Sequence, residues 1–177
     1  MFENNLINAA DIQGFKALSS NMNADKKINP FVLEAQEFEL RPFLGDAFYN
    51  ELIVQYKNGF TNPLYSDLWN GSTYTSGTFQ MQNPGLKVVL VYYADARIIS
   101  KSNTNSTATG MVSKNNNDSS HISEKTVSRL VSDCLSGAKS YENRVRAYLE
   151  CKASEYPLFV CTKVNKRTGG FRISSVG

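Results

Sequence analysis

The sequence predicts a mainly α protein: a bundle of about four to five helices carrying a long projecting loop or β-hairpin arm and an extended C-terminal tail. Three observations predict it. Apolar residues recur at three- and four-residue steps over much of the chain. Asn-Pro and Ser-Glu pairs stand where helices should start. A polar stretch, TNSTATGMVSKNNNDSSHIS at 104–123, interrupts the pattern once, between the two strongest helical runs.

At 177 residues the chain is long enough for one domain with a true hydrophobic core. The helical domain is expected over residues 1–157, with its arm at 102–121, and a tail or hairpin over 158–177.

In the first run, Asn8 is placed as an N-cap with Asp11 three residues on, the pattern of a capping box. Ile12, Phe15, Leu18 and Met22 follow at helical spacing, although Gly14 weakens that helix by roughly 1 kcal/mol against alanine. The polar segment NMNADKK should end it. Asn29 and Pro30 then suggest a second start, and Arg41-Pro42 a break or kink, because a residue before proline avoids the helical region. Phe48, Leu52 and Tyr56 share a face of the next helix, which Asn58-Gly59 should stop.

Asn62-Pro63 opens a short helix through Leu68 and Trp69, and Asn70-Gly71 turns the chain. STYTSGTFQMQN suits a loop or a weak hairpin, with Trp69, Tyr74 and Phe79 pinning the excursion to the core. After Asn83-Pro84, LKVVLVYYADARIIS is apolar nearly all round. Its β-branched content also suits a strand, but its length and the uninterrupted Asp95-Ala96-Arg97 favour a buried helix.

The clearest pattern follows. Val127, Leu130, Val131, Cys134, Leu135, Ala138, Tyr141, Val145, Tyr148 and Leu149 predict one amphipathic helix of roughly thirty residues, capped by Ser123 and ended by Tyr156-Pro157. Gly137 is its one weak point. The last stretch is not helical. Two β-prone segments flank Thr168-Gly169-Gly170, which suits a hairpin or a tail that orders on a partner.

The net charge of +3 is mild, but it is unevenly spread. From Lys139 onward eight Lys or Arg stand against three Glu, leaving the rest weakly acidic. That asymmetry suits head-to-tail contact between copies or docking on an acidic partner, and equally a solvated helix face with a loose basic tail. Cys134, Cys151 and Cys161 form no C-x-x-C pair, and free thiols are expected. No basic leader followed by an apolar core opens the chain, and no apolar run is long enough to span a bilayer.

Signatures of catalysis are sparse. His121 is the only histidine and sits in the polar loop. No phosphate-loop, zincin or dinucleotide motif is present. Glu34, Glu37 and Glu39 are spread round a helix with no histidine beside them. Asp118 in NNND lacks the alternating acids and closing Glu of a calcium loop. No enzyme activity, metal or cofactor is expected.

The order of elements carries a resemblance. Its residues are Glu37, Arg41, Pro42, Leu44, Gly45 and Tyr49, then Thr107 to Val112 in the loop, then Tyr141, Arg144, Tyr148, Leu149, Tyr156 and Pro157. In these the chain resembles the head–tail connector, or adaptor, proteins of tailed phages, in the group found in phages of Bacteroidota including crAss-like phages. The resemblance implies a structural virion protein at the neck, assembled in the host bacterial cytoplasm. It implies a homo-oligomeric ring of about twelve copies below the portal protein. The ring would continue the DNA channel without sequence-specific contact and dock neighbouring neck and tail ring proteins. The expected contact residues are Thr107, Gly110, Met111, Val112 and Lys114 in the arm, and Lys163, Lys166, Arg167, Phe171 and Arg172 in the tail. The other reading is a small helical nucleic-acid-binding or regulatory module that uses the basic tail.

Overall fold

A computed structural model of the chain describes residues 5–19, 22–102, 104–107, 110–113 and 123–160. The described chain is mainly helical, with two small antiparallel hairpins. The expected mainly α bundle with a hairpin arm is the observed architecture.

Its axis is helix α7, Leu86–Ser102. Val89, Leu90, Val91, Tyr93, Ala94 and Ile98 are all buried, because α7 is covered on several sides. It packs against α8 (Glu124–Cys151), α3 (Asn29–Ala35), α6 (Pro63–Asn70) and α1 (Ala9–Gln13). A helix wrapped in this way has no polar face to show, which is why its sequence is apolar nearly all round.

The first element is shorter than its periodicity suggests. Asn8 caps α1 through a full capping box with Asp11, but the helix ends at Gln13 with Gly14 as its C-cap. Phe15 is therefore not on a buried helical face and is 51% exposed. The polar NMNADKK segment is not merely a stop: Asn23 caps a one-turn helix, α2, Ala24–Lys27. This displaces the predicted role of Asn29. Ile28 holds the N-cap position of α3, and the Asn29 amide instead donates to Asp25 at 3.1 Å.

Arg41-Pro42 does not break the helix. The chain runs from α3 through a π-helical segment, Gln36–Leu40, into α4, Arg41–Leu44. Proline lacks an N–H, and its ring would strike the carbonyl four residues back. Widening the preceding turn relieves that collision: the Arg41 N–H bonds to the Gln36 carbonyl, five residues away. Helix α5, Asp46–Lys57, then buries Phe48, Tyr49 and Leu52.

Asn62 caps α6, its side chain accepting from the Leu64 N–H. Strands β1 (Ser72–Ser76) and β2 (Phe79–Asn83) form a hairpin in register Ser76↔Phe79, Tyr74↔Met81 and Ser72↔Asn83. Gly77, at φ 62, holds the first turn position, the geometry of a type II′ turn. The buried Asn83 closes the excursion. Its amide donates to the Asp67 carbonyl at 2.9 Å, and its oxygen accepts from the Gly85 N–H at 3.1 Å. Trp69 and Tyr74 are buried as expected, but Phe79 is 72% exposed. Its place at the hairpin tip, beyond Tyr74, carries it off the core.

Ser123 caps α8 through the Thr126 N–H, and the helix runs 28 residues. Phe159, just past the expected end of the helical domain, joins the core against Phe43 and Phe48.

Candidate interaction surfaces

The loop between α7 and α8 contains two strands, β3 (Thr104–Thr107) and β4 (Gly110–Ser113). They pair antiparallel in register Thr104↔Ser113, Asn105↔Val112, Ser106↔Met111 and Thr107↔Gly110. Four of the five predicted arm residues, Thr107, Gly110, Met111 and Val112, thus lie on one ribbon. Among the described residues, that ribbon makes no extensive contact with any helix of the bundle. Lys114 lies outside the described residues, as do His121 and all five predicted tail residues: Lys163, Lys166, Arg167, Phe171 and Arg172.

Helix α8 packs along α7. From Cys134 to Leu149 the predicted stripe is buried at Cys134, Ala138, Val145, Tyr148 and Leu149. Nearer the arm the same face is not fully covered. Val127 and Val131 are half-buried, while Leu130 and Leu135 are 36% and 42% exposed. The periodicity gave the direction of the face correctly, but not where its cover ends.

Charged groups tie the helices together in ways the sequence did not signal. Arg97 on α7 forks onto both Glu39 oxygens at 3.1 and 2.5 Å and reaches Glu34 at 2.8 Å. Glu34 and Glu39 are five residues apart, about 1.4 turns of a regular α-helix, which would point them away from each other. The π segment, whose bonds run i→i+5, brings them onto one side. Its clue was a proline set inside unbroken apolar periodicity, from Leu40 to Leu44.

Glu37, on the same segment, belongs to a second cluster. It accepts from Arg41 at 2.8 Å and from the Tyr49 hydroxyl at 3.0 Å, and Arg41 also bonds Asp46 at 2.6 Å. The fully buried Gln36 accepts from the Leu6 N–H at 2.7 Å and donates to Tyr49 at 3.3 Å. Burial, with smaller help from Glu37, pushes the Tyr49 phenol up to about 12. The residues that carry the resemblance in this block are therefore a structural joint between α4, α5 and the N-terminal segment.

At the other end, the Tyr148 and Tyr156 hydroxyls are 3.0 Å apart, and Tyr156 donates to the Leu64 carbonyl at 2.7 Å. Arg144 donates to the Gln82 carbonyl at 3.3 Å. Tyr141 packs edge-on with Tyr92, with centroids 5.2 Å apart.

Two groups with reactive chemistry, Cys134 and Glu142, are held in packing contacts. The Cys134 thiol donates to Asp95 at 3.3 Å and lies 3.7 Å from the Lys16 ammonium. Burial raises its pKa, which keeps it a thiol, the inert form. Glu142 is buried and accepts from the Tyr93 hydroxyl at 2.7 Å, with Lys139 and Arg146 as its cationic partners. Among the described residues, no cluster of three His, Cys, Asp or Glu is placed to hold a metal. No helix among them is long and apolar enough to cross a membrane. An open depression of about 480 Å³ beside the start of α8 is lined by Lys125, Thr126, Ser128, Arg129, Ser132 and Asp133.

Fold and surfaces together define a helical bundle with two β-hairpins, one of them between its two long helices. The chain belongs to the family of unknown function DUF6712, whose model matches residues 40–169. That match spans α4 to α8, including the arm. No curated protein and no solved structure matched the chain.

Proposed function

We propose that the chain is a structural virion protein: a head–tail adaptor that assembles as a ring of about twelve copies below the portal of a tailed phage. In that place it continues the DNA channel and docks tail components. The observation that carries the proposal is the β3–β4 ribbon, which follows the end of α7 and, among the described residues, makes no extensive contact with any helix. An isolated two-stranded hairpin is marginal in water, so a ribbon held off its own core is suited to contact with another chain. The sequence resemblance supplies the identity of that assembly. An arm that is polar and not strongly basic also suits a channel wall, since dense Lys or Arg would grip the phosphates of passing DNA.

The test is to purify the full chain alone and with its portal protein and to image the particles. A closed ring seated under the portal is the expected result. A chain that stays monomeric both alone and with the portal overturns the proposal.

A further inference from the structure

We propose that the β3–β4 arm of one copy adds onto the free edge of β2 in the next copy, joining two ribbons into one four-stranded intermolecular sheet. This rests on the ring reading and deepens it, because it names the surface that receives the arm.

The ladder geometry shows which groups are free. The two-residue turn makes Ser76 and Phe79 a hydrogen-bonded pair, so Tyr74 with Met81 and Ser72 with Asn83 are bonded pairs too. Thr73, Thr75, Gln80 and Gln82 then turn their main-chain groups outward. Two of those carbonyls are engaged by α8: Thr75 by the Cys151 thiol at 3.7 Å and Gln82 by Arg144 at 3.3 Å. Among the described residues, nothing bonds the backbone of Gln80. The edge of β2 is thus open at its centre.

Open edges are normally protected by charge, above all by lysine, or by proline. Within their own strands neither ribbon has that protection; on β2 the Arg144 side chain of α8 covers the edge at Gln82 and leaves Gln80 open. No Lys, Arg, Asp or Glu occurs in 71–86, nor in 102–113, and neither hairpin strand pair contains a proline. Beside the open edge, Phe79 and Met81 are 72% and 46% exposed on one face of β2. The strand offered by the arm, β4, brings Met111 and Val112. Two uncharged edges of four and five residues match each other in length and polarity.

Within one chain the two ribbons do not pair: each is its own two-stranded sheet. β2 leads into the start of α7 and β3 follows its end, so the 17 residues of α7 set their points of attachment about 26 Å apart. The proposed occupant of the β2 edge is accordingly the arm of a second copy. The contact uses a different surface on each partner, so it repeats from copy to copy and forms a ring where the rotation between copies closes.

The experiment uses proline as an edge block. Gln80→Pro removes one outward N–H and leaves every bond of the β1–β2 ladder in place. Native mass spectrometry would follow the wild type, Gln80→Pro, Gln80→Ala, a chain with Thr104–Ser113 replaced by a short Gly/Ser linker, and an equimolar mixture of the proline and linker chains. Gln80→Ala should assemble as the wild type does. The proline and linker chains should each need at least tenfold higher concentration to assemble. Their mixture should form a one-to-one dimer, since one supplies an arm and the other an edge. Met81→Lys repeats the test by charge, should proline disturb the hairpin itself. Assembly of Gln80→Pro and Met81→Lys at the wild-type concentration, or a mixture that stays monomeric, overturns the edge pairing and leaves the ring standing. A wild type that stays monomeric alone and with the portal overturns both.

Discussion

Tyr74 packs edge-on against Tyr148, with ring centroids 5.1 Å apart, and this contact seats the β1–β2 hairpin on the C-terminal end of α8. Tyr74 is the one buried residue of β1. Tyr74→Ala should therefore cost roughly 3 kcal/mol, within the range for removing a buried aromatic ring. Amide exchange across 72–83 should rise before exchange in α7 does. Chemical denaturation and hydrogen exchange measure both, and a hairpin that stays protected in the variant would show that another contact holds it.

Two glycines let the entry and exit of that hairpin cross. A Cβ on Gly85 would lie 2.5 Å from the Trp69 carbonyl oxygen, and one on Gly71 would lie 2.8 Å from that of Asn83. Both residues also have positive φ, 86° and 96°. Gly85→Ala should destabilise by on the order of 3 kcal/mol, combining left-handed strain with a backbone collision. A melting temperature within a degree of the wild type would contradict this.

Gly137 has a different reason to be glycine. It lies inside α8, where alanine would favour the helix by roughly 1 kcal/mol. A Cβ there would meet the Tyr92 ring at 2.7 Å, because α7 and α8 approach closely at this point. Gly137→Ala should be destabilising in the wild-type background and stabilising when combined with Tyr92→Ala. A double-mutant cycle reads the sign change, and two independent effects would refute the close-approach account.

The buried tyrosines should weaken the fold at alkaline pH. Burial raises the phenols of Tyr49, Tyr93 and Tyr156 above their ordinary 10.0. A raised folded-state value means the native state keeps protons that the unfolded chain releases. That stability is fully present below pH 10 and is lost as pH rises through the folded value. For Tyr49 the window is about 10 to about 12. Across it the wild type should lose on the order of 2 kcal/mol relative to Tyr49→Phe. Unfolding curves at pH 9 and pH 11.5 test this, and a constant difference between the two proteins would contradict it.

Local signals in the sequence were read well where a short-range rule decides the outcome. Asn8, Asn62 and Ser123 cap helices as their spacing suggests, and the long apolar run of α7 is a helix. What could not be read depends on neighbours distant in sequence. Asn29 lost its cap role to a one-turn helix upstream, and Phe15 lost its buried face when Gly14 ended α1. The π segment hid behind Pro42, since a proline inside a periodic run looks like a break unless the turn before it widens. The face of Leu130 and Leu135 was legible, but its cover depends on what stands opposite.

The same division applies to the arm. Its polar composition and Gly110-Met111-Val112 core marked it as distinct from the bundle, and its strands pair as a hairpin. Under the proposed pairing, the ribbon's partner cannot be found within its own sequence, because Gln80 lies on the far side of α7.

The most direct test of the central claim, that the arm joins copies while the bundle folds without it, is the solution mass of the full chain with and without residues 104–120. The wild type should form a single closed species of about twelve chains of 19.7 kDa each. The deleted chain should stay monomeric and unfold in one cooperative transition at an unchanged temperature. A deleted chain that assembles as the wild type does, or that loses cooperative unfolding, would contradict the account.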